Sequence, residues 1–122
     1  MLELKYIDVR LFKEQVGTLA VFERAALIFV QTLPSWKALL LDAVEKKNST
    51  MVSDLIHQMK GTSAMLCATP LREHLIGMER QLLTDGLEAL HSALDPLTML
   101  IFETESELQA LLLEKRYLQD PH

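Results

Sequence analysis

The chain has 122 residues, a length that predicts one domain with a sizeable hydrophobic core. Hydrophobic residues make up 49% of it and charged residues 24%, so the composition is globular and excludes a disordered chain. The net charge of −5 comes without a basic patch, which argues against DNA and RNA as partners.

The features that report on cell compartment point to the cytoplasm. Cys67 is the only cysteine, which excludes an internal disulfide and fits a reducing environment. Residues 1–5 lack the basic-then-apolar layout of a signal peptide, and the longest uninterrupted apolar run, Ala25 to Val30, is too short to span a bilayer. We therefore expect a cytoplasmic location without membrane insertion, for a free-standing protein or for the soluble end of a larger one.

Glycine and proline are sparse, with four of each, and alternating strand patterns are absent, so the sequence predicts an all-α fold. The first predicted element is a brief helix from Asp8, which can act as its N-cap, through Val16, with Gly17 as its stop. Leu11 and Phe12 face inward in this helix. We expect it to cover one end of a bundle.

A long second helix is predicted from Thr18 to Lys46. Its apolar residues recur at intervals of three and four, as in the seam of a helix bundle. They are Phe22, Ala26, Phe29, Leu33, Trp36, Leu40 and Ala43. Pro34 removes one hydrogen bond and clashes with the carbonyl of Val30, but the seam keeps its phase, so we expect one helix bent at Pro34.

The third helix is predicted to follow a link and cap at Asn48 and Ser49 and to reach about Leu66. At about 100° per residue its apolar residues collect on one side. They are Val52, Leu55, Met59 and Leu66, with Ile56 and Ser63 at the edges. His57 falls on the opposite side, among small and polar neighbours.

A tight corner leads to the fourth predicted helix. Thr69 is its expected N-cap, and Pro70 suits the first helical position, where its missing N–H is no loss. Its inward residues are Leu71, Leu75, Met78 and Leu82. The helix is expected to run to about Leu83, before a turn at 84–86.

The start of the fifth helix has two solutions. It begins near Gly86 and bends at Pro96, or it begins anew at Asp95, which can cap a helix whose next residue is the proline. Its apolar stripe ends before a polar tail, 117–122, that we expect to be frayed. The predicted architecture is an antiparallel four-helix bundle with a short additional N-terminal helix, in one domain whose core spans about 8–116.

One constellation in the predicted hairpin has chemical potential. Lys60 and Gly61 lie at i+3 and i+4 from His57, the spacings that make side chains neighbours on a helix. If the hairpin is antiparallel about Ala68, it brings Glu79 beside His57. A carboxylate that accepts the proton of one ring nitrogen leaves the other nitrogen nucleophilic, and a lysine can neutralise a phosphoryl oxygen. The same residues, considered alone, also fit a surface histidine without a chemical role.

The residues of this hairpin form a longer pattern. It reads His57-x-x-Lys60-Gly61-Thr62-Ser63-Ala64-x-Leu66, then Ala68, Leu71 and Met78-Glu79. The pattern resembles a histidine-containing phosphotransfer (HPt) domain of bacterial multistep phosphorelays. In that family the position of Glu79 is often Gln or Glu and holds the histidine ring. Cys67 stands where the family usually has Gly, and Ile56 where Ala is common.

The resemblance implies a phosphocarrier in a helical bundle. His57 would take a phosphoryl group from a receiver-domain aspartate and pass it to another, with Lys60 at the phosphoryl charge and Glu79 orienting the ring. Gly61 would give access to a partner that docks over the exposed residues around it, Ser53, Asp54 and Ala64. The expected partners are receiver domains of response regulators or hybrid histidine kinases. They would supply Mg²⁺, whereas this chain needs no cofactor of its own.

Other readings of the sequence lead to different classes of protein. A helical adaptor that binds a receiver or kinase without phosphotransfer would need no chemistry at His57. A domain of a chemotaxis-type kinase would receive its phosphoryl group from ATP through a kinase domain. Glu88-x-x-His91 is a single Glu-x-x-His motif, whereas a di-iron bundle needs two, so we expect no metal site. Cys67 is expected to be a small packed residue rather than a nucleophile.

Overall fold

The structure is a computed structural model that describes residues 4–8, 10–11 and 19–113, and most of these residues are helical. Within these residues there are four α-helices, and a short 3₁₀ turn at Leu87–Leu90 precedes the last of them. The α-helices are α1 (Leu19–Glu45), α2 (Ser49–Met65), α3 (Thr69–Asp85) and α4 (His91–Leu113). The predicted all-α class is confirmed.

The four helices close a ring around one core. Helix α1 packs against α2 and α4, and α3 packs against the same two helices from the other side. Short connections between consecutive helices make neighbours antiparallel, as in an up-down bundle. The largest fully buried side chains come from α1, α2, α3 and the turns next to them: Phe22, Phe29, Leu33, Leu40, Ile56, Met59, Leu66, Leu71, Leu75, Met78 and Leu90. Helix α4 contributes further buried residues, Leu97, Ile101, Leu108 and Leu111. The predicted four-helix bundle is confirmed.

Helix α1 runs through Pro34 without interruption, as predicted. Its predicted seam is buried except for Trp36, which is half-buried and meets Phe29 edge to face at a centroid distance of 6.4 Å. Two residues before Pro34, the hydroxyl of Thr32 donates a hydrogen bond to the carbonyl of Ile28 at 2.8 Å. The continuous seam shows why the proline is tolerated: burial of both halves of the helix against one core outweighs one lost hydrogen bond. The bend at Pro34 stays a prediction.

The outer face of α1 also carries several apolar residues. By length and composition, Ala20–Glu45 could cross a membrane, although the short run Ala25–Val30 could not. A core helix of a soluble protein passes the same test, and the inner face of α1 lies in the core of the bundle. The exposed apolar residues of this helix are Val21, Leu27, Ile28, Leu39 and Leu41.

The corner between α2 and α3 differs in one respect from its prediction. Cys67 has a φ of 54°, in the left-handed region, and the N–H groups of Cys67 and Ala68 donate to the carbonyls of Ala64 and Ser63 at 3.1 and 2.9 Å. This is the Schellman closure, in which glycine is the usual residue at the left-handed position. The closure is so short that Ala68 is the N-cap of α3 and Thr69 its first residue, so the predicted cap at Thr69 is wrong.

Helix α2 begins as predicted, because Asn48 caps it by accepting the N–H of Met51 at 3.1 Å. The connection between α1 and α2 has the same hydrogen-bond pattern as the corner between α2 and α3. Lys47 has a φ of 56°, and the N–H groups of Lys47 and Asn48 donate to carbonyls near the end of α1. Two connections of the bundle therefore share one backbone geometry.

Helix α4 follows the first of the two predicted starts. The 3₁₀ turn begins directly after Gly86, whose φ is 84°, and α4 then continues through Pro96. A new start at Asp95 is therefore wrong. His74 links α3 to α4, because its Nε2 lies 2.9 Å from the carbonyl oxygen of Ala93. A carbonyl only accepts, so Nε2 carries the proton and donates it.

Residues 4–8 are attached to the bundle. Ile7 is 3% exposed and belongs to the core. Asp8 accepts the N–H of Leu11 at 2.9 Å, as expected of an N-cap. The rest of the predicted first helix, through Val16 to Gly17 and including Phe12, lies outside the described residues. So do the residues after Leu113 that were predicted to end the last helix, and the tail 117–122.

Cys67 is packed in the corner. It is buried, and desolvation raises the pKa of its thiol, with the negative charge of Asp8 raising it further. A thiol that stays protonated is a poor nucleophile. This environment agrees with the prediction that Cys67 has a packing role.

Two substitutions at Cys67 test the backbone argument. We expect Cys67→Gly to change the free energy of unfolding by no more than about 1 kcal/mol, because relief of the left-handed strain offsets the lost side-chain contacts. Cys67→Val places a β-branched residue at the same φ, and we expect it to destabilise the protein by about 2 kcal/mol or more. Urea unfolding measures both. Equal stability of the two variants would contradict the role of the φ angle.

Candidate functional site

Helix α2 has one buried and one exposed face. All six residues predicted for the apolar side are buried: Val52, Leu55, Ile56, Met59, Ser63 and Leu66. Ser63 satisfies its hydroxyl by donating to the carbonyl of Met59 at 2.8 Å, so no polar group is left unpaired by its burial. The core thereby fixes the rotation of α2. His57 consequently points outward, and 75% of its side chain is exposed.

The antiparallel pairing of α2 and α3 brings Glu79 to His57. The distance between Nδ1 of His57 and Oε2 of Glu79 is 3.9 Å, which is longer than a hydrogen bond but within reach of a small side-chain rotation. Nδ1 is therefore the ring nitrogen on the Glu79 side. Nε2, the other nitrogen, makes no hydrogen bond with the described part of the chain. Glu79 therefore lies beside His57, as the predicted hairpin required.

Lys60 is closer to Glu79 than His57 is. Its Nζ lies 2.8 Å from Oε1 of Glu79, a charge-assisted hydrogen bond between side chains that are 26% and 29% exposed. The two oxygens of one carboxylate are thus divided between the lysine and the histidine. The sequence pattern predicted Lys60 beside His57, but it did not predict that the ammonium contacts the carboxylate. Only the packing of α2 on α3 shows that contact.

Gly61 has no structural requirement for being glycine. A Cβ at this position would meet nothing within 4 Å, and its φ lies outside the left-handed range. Alanine is the better helix former by about 0.5–1 kcal/mol, so a mid-helix glycine lowers stability here. Because Gly61 has no side chain, nothing projects at this position from the helix surface one turn from His57.

The three predicted partner-binding residues are all exposed on the face of His57. Ser53 and Asp54 lie one turn before it and border a groove toward the end of α3, lined also by Leu82, Leu83 and Leu87. Ala64 lies two turns after His57 and borders a hollow with Leu11, Cys67 and Arg72. Sequence reasoning missed the contributions of Leu11 and of the leucines, because they come from elements that only tertiary packing brings to α2.

His74 and His91 lie away from His57. His91 lies 3.4 Å from Glu88 in an exposed pair on one turn, and His74 bonds to α4. Among the described residues, no group of three or more His, Cys, Asp or Glu side chains could hold a metal ion.

Neither a family model nor a curated protein matches this chain. A solved structure does match it: the crystal structure of the HPT domain from an Hpt sensor hybrid histidine kinase of Shewanella. The two chains superpose with a TM-score of 0.78 over 89% of this chain and 95% of the other, at 17% sequence identity. At that identity the likeness is one of fold. The bundle that holds His57, Lys60 and Glu79 therefore has the fold of a histidine-containing phosphotransfer domain.

Proposed function

We propose that this protein is a phosphocarrier in a two-component phosphorelay: His57 accepts a phosphoryl group from a receiver-domain aspartate and passes it to another. The observation that carries the proposal is the exposed imidazole of His57 with a carboxylate at its Nδ1 side, in a bundle of the HPt fold. The carboxylate is itself neutralised by a lysine. Such a site can act without a nucleotide pocket of its own.

The chemistry starts from neutral His57. A small rotation lets Nδ1–H donate to Oε2 of Glu79, which fixes the tautomer and leaves the lone pair on Nε2. Nε2 attacks the phosphorus of the aspartyl phosphate in line, and the P–O bond to the aspartate breaks as the N–P bond forms. The electron pair of the broken bond leaves with the aspartate carboxylate. The ring becomes positively charged, and Glu79 stabilises that charge through Nδ1–H.

Lys60 has two places to act. At rest its ammonium neutralises Glu79, which keeps a lone carboxylate from standing beside the histidine. Its stem is long and flexible, and its position one turn from His57 lets the ammonium reach the oxygens of an incoming phosphoryl group. The reverse reaction, to a second receiver, uses the same groups. The receivers supply the Mg²⁺ on which the aspartyl phosphate depends.

The docking surface is the exposed face of α2. The low surface at Gly61 and the small side chains of Ser53 and Ala64 allow a receiver to bring its aspartate close to His57. The fold belongs to a soluble type of domain, and we place the reaction in the cytoplasm, where receivers and reduced thiols coexist. A receiver-binding adaptor would use the same surface without the chemistry, so the first experiment separates the two functions.

Phosphate incorporation into wild type and His57→Gln is that experiment. We expect a phosphorylated receiver to label the wild type with an acid-labile, base-stable product and to leave the variant unlabelled, because Gln offers no nucleophilic nitrogen. The measurement is transfer of radioactive phosphate with chemical-stability assays. His91→Gln, on another helix, is the matched control and should be labelled normally. Binding of a receiver without any label on the wild type would favour the adaptor.

Glu79 and Lys60 are tested together. We expect Glu79→Ala to lower the transfer rate roughly tenfold, or about 1.4 kcal/mol in the barrier, because the ring loses both its orienting group and its counter-charge. Lys60→Ala should lower it by a similar factor, with receiver binding retained. Rapid-quench transfer measures the rates, and Glu73→Ala on α3 is the control. A normal rate in either site variant would remove that residue from the mechanism.

Gly61 separates stability from function. Gly61→Ala should raise the free energy of unfolding by about 0.5–1 kcal/mol yet slow transfer from a receiver, because the added methyl group stands on the docking face. Gly77 of α3 offers a matched control, since a Cβ there also meets nothing within 4 Å. Gly77→Ala should give the same stabilisation with unchanged transfer. Unchanged transfer in Gly61→Ala would contradict the access role.

A further inference from the structure

A single carboxylate holds the N-terminal segment on the bundle. Glu107 of α4 accepts the backbone N–H groups of Lys5, Tyr6 and Ile7 at 2.7, 2.9 and 3.0 Å. Three consecutive amides pointing at one anion form a compact, charge-assisted arrangement. Since Glu107 lies about a hundred residues along the chain from its partners, this contact is purely tertiary.

The same segment is also tied to the corner next to the candidate site. The N–H of Asp8 donates to the carbonyl of Cys67 at 3.0 Å, directly after the amide of Ile7 that Glu107 holds. Asp8 then caps the turn that contains Leu11. Leu11 is half-buried and lines the hollow in which Ala64 of α2 also lies. A continuous chain of contacts therefore leads from Glu107 to the face of His57.

The hollow lies within the area that a docked domain covers. His57 and Ala64 are two turns apart on one face, about 10 Å along the helix axis. A transient interface that buries roughly 600 Å² on each partner has a radius of about 14 Å if it is circular. A receiver centred on His57 therefore reaches Ala64 and the edge of the hollow that Leu11 also lines.

We propose that Glu107 is a positioning residue for partner docking: by holding residues 5–7, it sets Leu11 as one edge of the surface on which a receiver domain docks. The inference rests on the proposed function, and it adds a partner contact from outside α2. Glu107 itself touches neither His57 nor the incoming phosphoryl group. Its effect is on receiver affinity and leaves the reactivity of the imidazole unchanged.

The test compares Glu107→Gln with wild type in the full chain. A panel of purified receiver domains, phosphorylated with acetyl phosphate and Mg²⁺, serves as donor, and transfer is followed against receiver concentration. We expect the half-saturating concentration to rise about fivefold, the size of a lost contact at the edge of an interface, with the maximal rate within twofold. Hydrogen exchange at the amides of Lys5, Tyr6 and Ile7 should become faster. Glu103→Gln, one turn earlier on α4, is the charge-matched control and should change neither quantity.

Two further measurements test whether Glu107 acts through Leu11 and through docking alone. Leu11→Ala should weaken receiver binding to a similar degree, and its effect should not add to that of Glu107→Gln, because both act through one contact. Phosphoramidate, a small donor that needs no docking surface, should label His57 equally in wild type and both variants. Unchanged half-saturation despite faster exchange, or additive effects, would overturn the positioning role, and so would slower labelling by phosphoramidate. If wild type took label from neither phosphoramidate nor any receiver, the proposed function itself would fail.

Discussion

The close antiparallel packing of α2 against α3 is the constraint on which the candidate site depends. The corner between them turns through one left-handed residue, Cys67, and its closure leaves no slack before α3 begins. A corner one residue longer would rotate α3 by about 100° and carry Glu79 away from α2. The contact between Lys60 and Glu79 therefore follows from backbone geometry at a turn some distance from it.

That contact also explains how a carboxylate can be kept near an exposed histidine. Glu79 is about two-thirds buried, and its ion pair with Lys60 at 2.8 Å satisfies one oxygen while the other faces His57 at 3.9 Å. Exposed ion pairs contribute little to stability, and this one is only partly shielded from water. Its importance lies in arrangement: it holds the carboxylate 3.9 Å from the imidazole, as the proposed transfer requires. Gly61 likewise lowers helix stability without a packing reason and opens the surface beside the histidine.

The surface around His57 is assembled from several elements. Helix α2 supplies its centre, the end of α3 borders it at Ser53 and Asp54, and the N-terminal segment borders it at Ala64. The last of these borders depends on Glu107, on the helix that closes the bundle. The site is thus exposed and simple in its chemistry, while its edges are set by contacts across the whole fold.

Much of the fold could be predicted from local patterns. Helix α1 passes through Pro34 because its seam keeps one phase, and the six buried positions of α2 follow from the same periodicity. His57 points outward for the reason that its neighbours point inward. Each of these outcomes depends on residues within one helix, where spacing alone decides which side chains share a face.

Other features depended on how the helices pack. The sequence left two starts open for α4, and it suggested a cap at Thr69 that the short corner transfers to Ala68. Within the site, it predicted that Lys60 and Glu79 lie near His57 but could not assign the carboxylate's closest partner. The hydrogen bonds from residues 5–7 to Glu107 could not be predicted, because no local sequence pattern indicates them. Periodicity within each segment was enough to predict the helices and the faces they bury. Contacts between distant residues became visible only in the packed bundle, because they depend on the angles and registers at which whole helices meet.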